Sequence, residues 1–206
     1  MPPSTRQALI ETAARLFHEQ GFAATGVATI LRESGLKSGS LYHCFENKEA
    51  LLVGVLDWYE QHLWPVVLGP IEAAESDPIE RIFALLAWYR AGVEQCGCRM
   101  GCPIGNLALE VSDTHPEVRP SIDVNFRNWA AGIEKWLREA SNRLPDDCDM
   151  GALSRIILTV MEGGLMQVRA HDDLTPFDGS VNVLRDYMDR LLLKPPTTAP
   201  PKGSTR

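Results

Sequence analysis

Three cysteines lie close together in the middle of the chain, and their thiols could bind a metal ion or act as nucleophiles. Cys96, Cys98 and Cys102 follow the pattern C-x-C-x3-C. Structural zinc sites normally use separated pairs such as C-x2-C, which this sequence lacks, so we predict no metal and no cofactor. A nucleophilic cysteine needs a base beside it, and His115 is the histidine nearest to Cys102 in the sequence. A cysteine-dependent enzyme is therefore kept only as an alternative, without any G-x-S-x-G, H-E-x-x-H or phosphate-loop motif to support it.

A second set of residues has the types and spacing of a nucleic-acid contact. A short helix predicted from 38 to 45 would bury Leu41 and Phe45, which are four residues apart. At about 100° per residue, the other side of this helix presents small, aromatic and polar groups to solvent. These are Gly39, Ser40, Tyr42 and His43. Such a surface is unsuited to a core and suited to the major groove of DNA, where the second helix of a helix–turn–helix lies.

Further residues near helix starts are candidates for phosphate contacts. Thr25 precedes a first helix and is predicted to cap it, while Lys37 and Ser38 stand at the start of the second. Lys48 is the first residue of a third helix, after the predicted N-cap Asn47. Free N–H groups and the positive dipole end make helix starts attractive to phosphate. The alternative is that these residues are ordinary caps and solvated charges.

Helical patterns that would position these residues extend along the whole chain. A stripe of Leu9, Ala13, Leu16 and Phe17 predicts a helix from Ser4 to Gln20. Pro65 and the Gly69-Pro70 pair predict a break or bend after a helix that starts at Asn47. We find no strand pattern, and a further helix is predicted from Pro78, after the N-cap Asp77, to about Val93. Others are predicted at 103–112, from 116 until Pro145 ends the helix, and at 149–171 and 178–193. The fold class is therefore all-α.

The run from Phe22 to Leu52 resembles the DNA-binding signature of the tetracycline-repressor (TetR) family. The resemblance is carried by Gly-Ser-Leu-Tyr-His at 39–43 and by Phe-Glu-Asn-Lys-Glu-Ala-Leu at 45–51; Cys44 departs from it, where the family more often has Tyr or His. The tail at 195–206 is rich in Pro and Thr and is predicted from that composition to be disordered. The resemblance implies a helix–turn–helix domain over residues 1–48 and an effector-binding and dimerisation domain over 49–194. It also implies a repressor that binds a DNA operator and is released by a small molecule.

The charge distribution limits how such a protein could hold DNA. The chain has a net charge of −7, but its first 50 residues contain five basic and five acidic residues. The excess of acidic residues therefore lies outside the predicted DNA-binding part. Because that part has no net charge, DNA binding must depend on individual side-chain contacts rather than on overall electrostatic attraction. No apolar run reaches the roughly 18 residues of a membrane span, and nothing resembles a signal peptide, so a cytoplasmic protein with reduced thiols and no membrane partner is expected.

The last two predicted helices, 149–171 and 178–193, are apolar over an arc too wide for burial on one side. A four-helix bundle formed by two copies would cover both sides and make a homodimer. Such a dimer would place two DNA-reading helices about 34–36 Å apart on a palindromic operator. The alternative is that both helices are buried within one subunit.

The larger domain has room for an effector site, since pockets are mostly apolar and aromatic. Plain core packing is the alternative for each candidate, and a solidly packed domain would favour an architectural DNA-binding protein without a ligand. Glu162 is notable because a carboxylate in an apolar helix needs a partner. The full set of candidates is Trp58, Tyr59, Trp88, Tyr89, Cys102, Asn106, Phe126, Trp129, Met161, Glu162 and Met166.

The segment from Gly101 to Ser112 resembles one branch of the family, which includes regulators responsive to electrophiles or small unsaturated acids. The resemblance implies a sensing thiol at Cys102. A thiol at a helix start has a lowered pKa, and Arg99 would add to that effect, with Cys96 and Cys98 near enough in sequence to act as resolving thiols. The alternative is that Cys102 is a small apolar filler.

Overall fold

The computed structural model of the chain describes residues 4–37 and 39–192. This part is helical, and no β-strand occurs in either range, which confirms the all-α class. Short turns of π-helix at Leu63–Leu68 and of 3-10 helix at Pro116–Val118 and Ser141–Arg143 connect some of the helices. The helices are α1 (Thr5–Gln20), α2 (Val27–Ser34), α3 (Gly39–Cys44), α4 (Lys48–His62), α5 (Gly69–Ala74), α6 (Pro78–Gln95), α7 (Pro103–Val111), α8 (Arg119–Glu139), α9 (Met150–His171) and α10 (Thr175–Leu192).

The first three helices form the predicted helix–turn–helix cluster. Ser4 caps α1 by accepting a hydrogen bond from the Gln7 amide, and α1 ends at Gly21. The second helix ends at Gly35, whose φ of 68° lies in the left-handed region that glycine adopts without strain. The predicted apolar stripe of α1 is buried against α2 and α3, so α3 is held with one face inward.

The predicted cap of α2 is wrong. Gly26 occupies the N-cap position, and no side chain caps this helix. Thr25 is instead fully buried, and its hydroxyl donates to the carbonyl oxygen of Gly21 at 2.6 Å. The hydroxyl closes the loop from residue 21 to residue 26, which we call the α1–α2 loop.

Two predicted caps in the following part are confirmed. The Asn47 side chain accepts from the Ala50 amide at 2.7 Å, and Asp77 accepts from the Ile79 amide at 2.8 Å. The break expected at Pro65 does not end the helical run. Because proline has no N–H to donate, the regular ladder is interrupted there, and the chain passes through the π-helical turn into α5.

One apolar core connects the helix–turn–helix cluster to the rest of the chain. It extends from Leu9 to Met188, and α4 packs against both α1 and α8. Trp136 of α8 is fully buried within it, and its indole N–H donates to Glu72 at 2.6 Å. A shift in the larger part of the chain can therefore reach the helix–turn–helix through α4.

Three further observations complete the comparison with the predicted elements. The last two helices are found close to their predicted ranges, although α10 begins three residues earlier than expected. Ser38 and the tail at 195–206 lie outside the described residues. Among the described helices, none is sufficiently long and apolar to cross a membrane.

Candidate DNA-binding helix and effector cavity

The exposed side of α3 carries the predicted recognition groups. Leu41 and Phe45 are buried as expected, and the Phe45 ring packs so closely on Gly54 of α4 that an added Cβ would lie 2.9 Å from it. The Tyr42 side chain is 65% exposed, and His43 is also exposed. This short helix therefore turns two aromatic side chains with polar atoms toward solvent while its apolar side is fixed.

Of the other predicted DNA contacts, Gly39 and Lys37 are exposed and Ser40 is half-buried. The Thr25 hydroxyl is not available to a phosphate, because the side chain is fully buried and bonded to Gly21. This corrects the expectation for Thr25. A threonine before a helix suggests an N-cap, whereas the burial of Thr25 beneath the loop could not be predicted from the local sequence.

Lys48 has a different environment from the one expected. Its ammonium group donates to the carbonyl oxygens of Phe22 at 2.8 Å and Thr25 at 3.0 Å, and it lies 4.0 Å from the centroid of the Phe22 ring. Burial lowers the pKa of Lys48. An ammonium group has three donors. Two of them are therefore engaged in holding the α1–α2 loop.

Glu110 of α7 holds the same loop from the opposite side. Its carboxylate accepts from the amides of Phe22 at 2.8 Å and Ala23 at 2.7 Å. At Gly21 an added Cβ would lie 3.1 Å from this carboxylate, and the φ of 86° also requires glycine. Glu110 therefore links the larger part of the chain to the helix–turn–helix.

A cavity of about 380 Å³ lies between the α1–α4 side of the molecule and helices α6, α7 and α8. It brings together five of the predicted effector residues: Trp58, Tyr59, Trp88, Tyr89 and Trp129. Among the residues that sequence reasoning missed are His18, His62, Asn125 and Leu165. Their signal in the sequence was weak, because histidine, asparagine and leucine within helices are common in any core.

His18 connects this cavity to the first helix. Its ring nitrogen Nε2 lies 2.7 Å from the carbonyl oxygen of Gly101, just before α7. Burial lowers the pKa of His18, so the ring is neutral at neutral pH and this contact is a hydrogen bond from Nε2–H. The α1 helix thus contacts the segment just before α7, and the α1–α2 loop contacts the C-terminal part of α7 at Glu110.

The other predicted effector residues do not line this cavity. Most of them line a separate, more open groove of about 540 Å³ between α7, α8 and α9: Cys102, Asn106, Phe126, Glu162 and Met166. Met161 is buried in the core and lines neither space. Apart from Met161, the predicted effector residues are therefore divided between the two spaces, because α9 presents Glu162 and Met166 away from the aromatic cavity.

Three buried polar atoms have no hydrogen-bond partner among the described residues. They are the indole Nε1 of Trp58, the indole Nε1 of Trp129 and Oε1 of Glu162. Burial raises the pKa of Glu162, an effect that the neighbouring Cys102 thiol partly offsets. Buried polar groups are almost always paired, so each of these atoms requires a physical explanation. The two indoles line the cavity, and Glu162 lines the groove.

The environment of Cys102 contradicts the expected low pKa. The residue is the N-cap of α7, and its sulfur accepts from the Gly105 amide at 3.4 Å, but the side chain is only 2% exposed. Burial, and then the nearby Glu162 carboxyl, raise the pKa of Cys102 well above its usual value. Loss of solvation outweighs the helix dipole here, so the thiol is protonated at neutral pH. Within the described residues, no cluster of three potential metal ligands is found.

We expect iodoacetamide at neutral pH to alkylate Cys102 at least about tenfold more slowly than Cys96, because only an accessible thiolate reacts. Cys96 is half-buried, whereas Cys102 is buried. Mass spectrometry of the folded protein would measure both rates, and the urea-unfolded chain, in which the two rates should converge, is the control. Faster labelling of Cys102 than of Cys96 in the folded protein would support the hypothesis that Cys102 is a sensing thiol.

Comparison with known proteins agrees with these features. Residues 9–55 match the family described as "Bacterial regulatory proteins, tetR family", and residues 78–184 match "Tetracyclin repressor-like, C-terminal domain". The chain is 30% identical to the uncharacterized HTH-type transcriptional regulator YxaF of Bacillus subtilis, over 84% of this chain and 88% of that protein. It is 26% identical to the HTH-type transcriptional regulator LmrA of the same organism, over 90% of this chain and 97% of LmrA.

Solved structures share the fold. A regulatory protein TetR from Rhodobacter sphaeroides superposes with a TM-score of 0.81 at 22% identity, over 90% of this chain and 99% of that one. Reduced NemR of Escherichia coli gives 0.78 at 21% identity, over 95% and 100% of the two chains. The C-terminal family match alone covers more than half of the chain. This chain therefore belongs to the TetR family of transcriptional regulators.

Proposed function

We propose that this protein is a dimeric transcriptional repressor, which binds a palindromic DNA operator through α3 and is released by a small-molecule effector in the aromatic cavity. The observation that carries the proposal is the position of α7 between the cavity and the α1–α2 loop. One end of this helix borders the cavity through Pro103 and Ile104, and its other end grips the α1–α2 loop through Glu110. In this arrangement, residues 1–48 form the DNA-binding domain and 49–194 the effector-binding and dimerisation domain.

The effector signal would travel along α7 as a displacement of a rigid helix. A nine-residue helix is about 13 Å long at about 1.5 Å per residue, so it connects the two sites without intermediates. A ligand that moves the N-terminal end of α7 would change the position of the α1–α2 loop, which precedes α2 and α3. The effector must bind the DNA-free state more tightly than the DNA-bound state, because only differential affinity shifts such an equilibrium.

A homodimer through α9 and α10 is supported by the apolar side chains that these helices expose. Ile156 is 53% exposed, Val183 70% and Tyr187 50%, and together they border a surface groove. Large exposed apolar groups on two adjacent helices are typical of a protein interface. A second copy of the chain would bury them in a four-helix bundle and place two copies of α3 on the same face of DNA. The cytoplasm, where bacterial DNA lies, is the location consistent with this role.

The thiol-switch and cysteine-enzyme alternatives are both disfavoured by one observation. Each needs a reactive thiolate, and Cys102 is buried with a raised pKa beside another acid. The architectural alternative needed a solidly packed domain. A cavity of about 380 Å³ argues against it.

The DNA part of the proposal is tested by selecting binding sites from random double-stranded DNA with the purified protein. We expect the enriched sequences to be two-fold symmetric, and Tyr42→Ala or His43→Ala to weaken binding to them by about tenfold or more, the usual effect of a lost base contact. His171→Ala is the matched control, since this histidine is exposed at the far end of α9. Unchanged affinity in both α3 variants, or enrichment of asymmetric sites only, would contradict the proposal.

A further inference from the structure

We propose that the cavity takes a neutral, planar aromatic molecule that carries carbonyl-type oxygens, and that the indole N–H groups of Trp58 and Trp129 bind those oxygens. This inference rests on the proposed function, since it names the ligand class of the same cavity. It is carried by three properties of the cavity wall: two unpaired hydrogen-bond donors, the absence of Asp, Glu, Lys and Arg, and the arrangement of aromatic rings.

The unpaired donors point to acceptor atoms on the ligand. Nε1 of Trp58 and Nε1 of Trp129 are both buried, and neither has an acceptor among the described residues. The fold does pair an indole elsewhere, because Trp136, which does not line the cavity, donates to Glu72 at 2.6 Å. Both unpaired indoles line the cavity, so a ligand bound there is the natural source of their acceptors.

The wall of the cavity contains no carboxylate, ammonium or guanidinium group, which favours a neutral ligand. No Asp, Glu, Lys or Arg lines it. Burial lowers the pKa of His18 and raises the pKa of Tyr59 and of Tyr89, so all three side chains are uncharged at neutral pH. A charged ligand would lose its hydration without gaining a counter-charge. An aromatic wall does attract cations, but here no carboxylate lines the wall to support that attraction.

The aromatic rings favour a flat ligand. Trp129 meets Tyr89 edge to face with centroids 5.7 Å apart, and Trp58 stacks on His62 at 4.3 Å. Rings held by such contacts are rigid and offer flat faces and edges to a guest. The volume of about 380 Å³ lies within the range of about 300–1,000 Å³ that small-molecule pockets occupy. Such a space suits a molecule of two to four fused rings.

The test uses fluorenone, a flat three-ring ketone, and fluorene, which has the same rings without the oxygen. We expect equilibrium dialysis to show fluorenone bound about tenfold more tightly than fluorene, the factor that corresponds to one hydrogen bond with a buried donor. The double variant Trp58→Phe, Trp129→Phe should bind both probes equally. Trp64→Phe is the matched control and should keep the preference for fluorenone, because Trp64 is 46% exposed and does not line the cavity. Circular dichroism would verify that each variant is folded.

Two charged analogues test neutrality. Fluorenone carboxylate and N-methylacridinium, a flat three-ring cation, should each bind at least about tenfold more weakly than fluorenone, because neither finds a counter-charge. Equal binding of fluorene and fluorenone, no binding of either, retention of the preference in the double variant, or tighter binding of a charged analogue would each overturn the inference. Dialysis requires no DNA, so these failures are separate from a failure of the operator selection, which would overturn the proposed function instead.

Discussion

Replacing Glu110 with glutamine is expected to release the α1–α2 loop and to uncouple the effector cavity from DNA binding. The variant keeps the size of the side chain but removes the charge and one of the two acceptor oxygens that hold the amides of Phe22 and Ala23. Hydrogen bonds to a charged group contribute about 1.5–3 kcal/mol each, so we expect the free energy of unfolding to fall by about 2 kcal/mol. An effector should then change operator affinity much less than it does in the original protein.

The measurement most specific to this contact is hydrogen exchange at the two amides. A loss of about 2 kcal/mol in local stability corresponds to exchange about thirtyfold faster at Phe22 and Ala23. The matched control is Asp113→Asn. Asp113 is an acidic residue three positions later whose side chain is almost fully exposed and pairs with Arg119. Unchanged exchange at both amides in Glu110→Gln, with the stability of the original protein, would show that α7 does not hold the loop.

The fold was largely predictable from the sequence because its signals are local. Apolar side chains at helical spacing mark α1 and α3, and the caps at Asn47 and Asp77 depend only on residues within one turn. The run from α4 into α5 was less predictable. Pro65 is a strong stop signal, but packing against the core sustains the helix through a π-helical turn.

The sites were less predictable because their contacts join distant parts of the chain. Glu110 is 88 residues from Phe22, and nothing near Glu110 in the sequence indicates that backbone amides will meet it. Cys102 has the sequence context of an activated thiol, but its burial beside Glu162 reverses the direction of the pKa shift. The aromatic types did identify five of the residues that line the cavity. The predicted effector residues lie on different helix faces, and this divides them between the cavity and the groove.

Lys48→Met is expected to destabilise the helix–turn–helix rather than to remove a phosphate contact. The ammonium group of Lys48 holds the carbonyl oxygens of Phe22 and Thr25, while Glu110 holds the amide of Phe22 from the other side. Methionine keeps the apolar stem but leaves two carbonyl groups without their donor. We expect the free energy of unfolding to fall by about 2–3 kcal/mol, the loss of two charge-assisted hydrogen bonds partly replaced by water.

The salt dependence of operator binding separates this role from the one that the sequence suggested. A lysine that neutralises a phosphate contributes about 0.9 to the slope of log affinity against log salt concentration. We expect Lys48→Met to weaken binding with little change in this slope, because most of the donors of Lys48 are engaged within the protein. Lys37→Met is the matched control: Lys37 is exposed just before α3, so its loss should lower the slope by about 0.9 without affecting stability.

The opposite pattern, a lower slope and unchanged stability in Lys48→Met, would make Lys48 a phosphate contact. If the expected pattern is found, a carboxylate accepts hydrogen bonds from the amides of the α1–α2 loop, and an ammonium group donates to its carbonyl oxygens. Glu110 comes from the effector-binding part of the chain and Lys48 from the helix that follows α3. Any movement of α7 then acts on a loop that is already fixed to α4, and α4 packs on α1 and α8. In the proposed dimer, we therefore expect the loop to shift together with α4 instead of unfolding locally, and such a shift would alter the distance between the two α3 helices.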